Sequence, residues 1–132
     1  MMATGLAAAI AQSILDALCR NVAWTQPPAF YVKLHTGDPG AAGANNAFGD
    51  TTRKAATFSA AASDGTITTS ADLNWTNVSA AGTVSHVSFW SASTAGTFLG
   101  SDDLAVARAL AIGDNFTILA GDVDLSLTPI AA

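Results

Sequence analysis

At Pro27-Pro28 the apolar spacing of the chain switches from a four-residue to a two-residue period, and this limits the fold more than any other feature. Before the switch, Leu6, Ile10, Ile14 and Leu18 recur every fourth residue, with Ala7, Ala11 and Leu15 widening the stripe. That is one face of an amphipathic helix. Thr4 is the expected N-cap, Asp16 and Arg20 form an acid-first i,i+4 pair, and the prolines forbid continuation much past Asn21. The spacing therefore predicts a helix within residues 1–21. After the switch, Phe30, Val32 and Leu34 alternate with Tyr31, Lys33 and His35. This describes a strand with one buried face and with His35 on the open side.

A turn-rich loop follows from Thr36 to Thr52, and its Asp38-Pro39-Gly40 has the residues that a tight turn requires. From Arg53 onward, short apolar runs alternate with turns at Asp64-Gly65, Ala81-Gly82, Ala95-Gly96 and Gly113-Asp114. The runs are 54–60, 66–70, 73–78, 83–90, 97–100, 104–112, 115–120 and 122–128. Strands at this spacing predict a mainly β fold, an antiparallel β-sandwich of jelly-roll type over residues 29–130, carrying one N-terminal α-helix. The chain of 132 residues is read as a single domain.

Composition excludes several functions. Charged residues are only 11% and hydrophobic ones 50%, which is incompatible with a disordered chain. Ten acids against five cations give a net charge of -5, so no nucleic-acid partner is expected, because a run of phosphates needs clustered cations. Insertion into a membrane is not expected either. Gln12, Ser13 and Asp16 interrupt the apolar N-terminal stretch, and its first cation, Arg20, comes after it. A single cysteine, Cys19, excludes an intrachain disulfide. All ten acids are aspartate, and Ala, Ser, Thr and Gly make up half of the chain, a composition suited to short strands and tight turns.

Chemistry-bearing patterns are sparse. His35 and His86 are the bases available near neutral pH, yet no Gly-x-Ser-x-Gly elbow presents a serine to either. Asp122 and Asp124 share a strand face without the spacing of a calcium loop, and Asp102-Asp103 point to opposite faces. No catalytic residue, metal site or cofactor is expected. Trp24, Trp75, Trp90 and Tyr31 are read as core or interface bulk ahead of a sugar-stacking platform.

Several stretches together resemble a known family. They are ATGLAAAIAQSILDALC at 3–19, FYVKLHTGD at 30–38 followed by PGAAGANNA, TTRKAATF at 51–58, and SHVSFWSASTAGTFLG at 85–100. Over nearly its whole length the chain resembles the small tail-fibre and minor tail structural proteins of tailed bacteriophages and prophages, many from phages of mycobacteria and other actinobacteria. The resemblance implies a non-enzymatic virion component on the particle exterior, made in the bacterial cytoplasm, and it supplies no catalytic residues. A capsid decoration (cement) protein is the alternative, because one compact domain can cap a lattice in many copies. A host-surface glycan-binding module is a third reading, with Asp38, Asn45, Asn46 and Phe48 as its exposed binding loop.

The expected partners are a second and third copy, as a homotrimer, together with other virion proteins and a host cell-surface glycan. The apolar burden and the stripe Leu6, Ile10, Ile14 and Leu18 make that helix face the candidate assembly interface. Burying four such side chains is worth roughly 1.5–3 kcal/mol each before entropy costs.

Overall fold

Six of the ten aspartates accept hydrogen bonds from main-chain N–H groups: Asp38, Asp50, Asp64, Asp72, Asp102 and Asp114. A short Asx side chain that captures the backbone ends a ladder or starts a turn, which glutamate reaches less readily. The result is a chain of many short strands.

The structure, a computed structural model, describes residues 4–127. Its elements in order are β1 (Gly5–Leu6), α1 (Ala8–Cys19), β2 (Tyr31–His35), β3 (Lys54–Ala55), β4 (Thr66–Thr68), β5 (Leu73–Trp75), β6 (Gly82–Trp90), β7 (Phe98–Leu110), β8 (Phe116–Ile118) and β9 (Asp124–Ser126). The first three residues of the expected helix segment and the end of the expected β region, 128–130, lie outside the described residues.

One antiparallel sheet of five strands, ordered β1-β7-β6-β2-β3, forms the body. β2 pairs with β6 from Tyr31↔Trp90 to His35↔His86. β6 and β7 form a long hairpin whose register breaks between Val84↔Arg108 and His86↔Asp103. Leu104–Ala107 of β7 therefore stand against Ser85 alone. The expected runs 97–100 and 104–112 thus merge into one irregular strand.

A mainly β chain with one short helix is what forms, but the expected jelly-roll sandwich is not. The remaining strands make two separate two-stranded ribbons, β4-β9 and β5-β8, which do not join into a second sheet. The physical reason lies at their ends. The Asp72 carboxylate takes the Ala120 N–H, the Asn115 side-chain carbonyl takes the Asn77 N–H, and the Asp64 carboxylate takes the Thr66 N–H. Each ladder stops after three residues.

A single core lies between the sheet and these ribbons. Val32 and Leu34 of β2, Val87 and Phe89 of β6 and Leu99 of β7 meet Leu73 and Trp75 of β5, Phe116 and Ile118 of β8, and Val78 and Val123. Trp75 serves the core and donates its Nε1–H to the Thr52 carbonyl at 2.8 Å.

The N-terminal arm departs from its expected form at the start. Leu6 is not helical: it pairs with Gly100 in β1, and the Ala7 N–H bonds to the Leu99 carbonyl at 2.9 Å. A Cβ on Gly100 would lie 2.5 Å from the Gly5 carbonyl oxygen, so this pairing requires glycine there. Ala7 becomes the helix N-cap without a side-chain bond, and Thr4 lies ahead of β1. The end of the helix falls where expected: Asn21 adopts φ 56° and the Val22 N–H returns to the Asp16 carbonyl. The Asp16–Arg20 pair closes at 3.1 Å on the exposed surface. Among the described residues no helix is long and apolar enough to cross a membrane.

Candidate functional site

The loop after β2 folds back on its own root. The Thr36 N–H bonds to the Asn46 carbonyl at 2.7 Å, the Phe48 N–H bonds to the Leu34 carbonyl at 3.1 Å, and His35 bridges Ala47. Inside the loop, the Asp38 carboxylate accepts the Gly40 N–H at 2.8 Å. The Asn46 amide donates to the Asp38 carbonyl at 2.9 Å, and the Asn45 N–H bonds to the Pro39 carbonyl at 3.0 Å. Gly43, at φ 72°, lies so close to Phe98 that a Cβ would run into the ring. The four residues expected to present a binding surface are thus brought together, but in different roles. Asn45 and Asn46 are exposed, Asp38 is committed to its turn, and Phe48, 1% exposed, is an anchor in the core. Phe48 is therefore not an exposed contact.

His35 also departs from the alternation, since it is fully buried. Its Nδ1 lies 2.8 Å from the Asn45 carbonyl and its Nε2 2.7 Å from Ser88 Oγ, which also accepts the Trp90 indole N–H at 2.7 Å. Alternation placed His35 on the open side because it cannot show a loop returning over that side. A readable signal was Ser88, a hydroxyl set between Val87 and Phe89 in an apolar strand. A histidine bonded to a serine resembles a nucleophile pair, but both side chains are sealed and the ring is oriented by a main-chain carbonyl. Burial holds His35 below the usual histidine range, and the nearby charges of Lys33 and His86 act in the same direction. His86 itself is half-buried and bonded to Ser85 Oγ at 2.8 Å.

Beside Trp90, the Arg53 guanidinium stacks 4.4 Å from the ring centroid and donates to the Ala92 and Ala95 carbonyls at 2.9 and 2.7 Å. Phe98 packs against the same indole at 5.4 Å. Trp90 is thereby a packing residue, like Trp75, and Trp24 lines a groove beneath α1.

The expected assembly stripe is divided. Leu6, now in β1, still lines with Ile10 and Ile14 an apolar groove of about 490 Å³ whose other walls include Trp24, Phe30, Phe58 and Leu99. Leu18 is 77% exposed, with Leu15 at 59% beside it, and no side chain of α1 is fully buried.

Asp102 joins β7 to β9 by accepting the Asp124 N–H at 3.2 Å. Burial, with the neighbouring Asp124 and Asp103 carboxylates, pushes its carboxyl up to about 6. A folded-state value above the ordinary 3.8 means that the folded form binds the proton more tightly. This group's contribution therefore favours the fold at low pH and is lost as pH rises through 6. Asp102→Asn should raise the melting temperature at pH 7.5 and flatten the profile between pH 4 and 7. Solvent screening at this half-exposed position holds the gain to about 1 kcal/mol. Thermal melts across that range check it, and an unchanged slope refutes it.

Sequence comparison sets this arrangement among the structural proteins of phages. The family model Gp80, described as Podophage GP4 fiber I protein gp80, matches residues 5–126, and the chain belongs to that family. No curated protein matches it. The resemblance to phage structural proteins read from the sequence holds at this level: this is a virion-associated phage protein.

Proposed function

We propose that the protein is a non-enzymatic minor tail or tail-fibre-type component on the exterior of a tailed-phage particle. The observation that carries this reading is the match to a fibre protein family across nearly all of the described chain. The site geometry supports it, because the His35–Ser88 pair is buried and the Asp38 carboxylate and Asn46 amide bond within the loop's own turns. The component works as a homo-oligomer, a trimer, whose copies and neighbouring virion proteins meet at α1. That helix leaves Leu15 and Leu18 in water and an apolar groove beneath it.

Counting this chain against the major capsid protein in purified particles, by quantitative mass spectrometry, tests the placement. A small fraction of the capsid copy number, with immunogold label at the tail, is the expected result. A ratio near one per capsid subunit overturns it in favour of lattice decoration, and absence from particles overturns it altogether.

A further inference from the structure

We propose that the loop from Thr36 to Ala47 is clamped to the sheet by a one-directional hydrogen-bond chain through neutral His35, and that protonating this ring releases the loop while the sheet stays folded. The direction follows from the groups at the two ends. The Asn45 carbonyl can only accept, so His35 Nδ1 carries the hydrogen and donates it over 2.8 Å. The Trp90 indole N–H can only donate, so Ser88 Oγ accepts it. The Ser88 O–H is then left to donate to the bare Nε2 of His35 at 2.7 Å. One proton arrangement satisfies every atom, and no buried side-chain polar atom among the described residues is left unpaired.

A proton added at Nε2 reverses one link. Two hydrogens then face each other between the ring and Ser88, whose Oγ makes no hydrogen bond among the described residues besides those to His35 and Trp90. Among the described residues no counterion stands beside the new charge. On β2 the nearest charged group is Lys33, and on β6 the register partner of His35 is His86, both of which raise the positive potential. On β7 Asp103 stands across from His86 and does not reach His35, and the loop's acid, Asp38, is held by Gly40. An unpaired cation in a sealed site must be hydrated. On one side the ring meets β6, the middle of the sheet; on the other it meets only the returning loop, tied at its root by the Thr36 and Phe48 amides. Water therefore enters by lifting the loop.

The sign is fixed by linkage. A histidine held below its ordinary 6.5 stabilises the clamped form fully above that pH and progressively less as pH falls through its folded value. The test is amide hydrogen exchange on the intact protein from pH 7.5 to 4, read at Thr36 and Phe48 against the β6 amides and corrected for intrinsic exchange. Protection at Thr36 and Phe48 should fall by up to about tenfold per pH unit as pH drops from 6.5 to the His35 midpoint and level off below it, while β6 remains protected. The His35 ring resonances in the same samples should titrate with that midpoint. His35→Gln, which keeps a donor and an acceptor but cannot titrate, should abolish the step. Constant loop protection, loss shared equally by β6, or a step retained in His35→Gln each overturns the proposal. If His35→Gln does not fold, coincidence of the ring titration with loop opening in the native protein decides the matter alone.

Discussion

Trp75→Ala should remove about 3–5 kcal/mol of folding stability, a large share of the 5–15 kcal/mol typical of a domain. The indole is 1% exposed, packs against Phe116 with centroids 6.0 Å apart and bonds to the Thr52 carbonyl. It ties the β5-β8 ribbon both to the core and to the chain leaving the loop. Trp75→Phe separates these roles: it keeps most of the bulk and leaves the Thr52 carbonyl without its donor, costing about 1–3 kcal/mol. Urea denaturation of the three proteins measures both. A loss below 1 kcal/mol for the alanine variant would show that the ribbon is not integral to the core.

Leu15→Asp with Leu18→Asp should leave the melting temperature nearly unchanged and abolish self-association. Both positions lie on the open side of α1, and surface substitutions usually stay within about 0.5 kcal/mol. A charge placed in an apolar contact between copies costs far more. Sedimentation velocity should therefore turn from an oligomer to a monomer, and the variant should be lost from particles. A native protein that is monomeric at micromolar concentration, or a doubly substituted one that still assembles, refutes the role of α1. A fall in melting temperature with assembly intact would assign the helix to its own domain.

How much of this was legible depends on how local each cause is. The helix from Ala8 to Cys19 shows in the spacing of Ile10, Ile14 and Leu18, and its end shows in Asn21 and the prolines. Its start does not, because Leu6 is drawn into β1 by a glycine nearly a hundred positions away. Val32 and Leu34 take the buried face that alternation assigns to them, while His35 does not, owing to a carbonyl ten residues ahead in the loop. Phe48 gave a clue of another kind: a large aromatic side chain in a stretch of Gly, Ala and Asn is a candidate anchor. The failed sandwich has the same origin. Turn residues mark where runs are divided, but not that Asx side chains on distant segments stop the ladders at three residues. The candidate loop was legible as a segment, but not that Phe48 turns into the core or that Asp38 and Asn46 bond within the loop, because those partners are set by how the loop folds back.

The crowding of Leu104–Ala107 against Ser85 bears on how such a protein survives at high local density. β1 covers the outer margin of β7 only at Gly100 and Ser101, so a run rich in alanine and valine borders open solvent. A straight run of that kind would recruit the matching run of any neighbour and grow into an insoluble ribbon. Three surplus residues bend the backbone out of plane and break the even repeat of donors and acceptors that such growth copies. If copies meet side by side, as the proposed assembly requires, this irregular edge keeps their sheets from merging and leaves lateral contact to side chains, where it can be specific and finite.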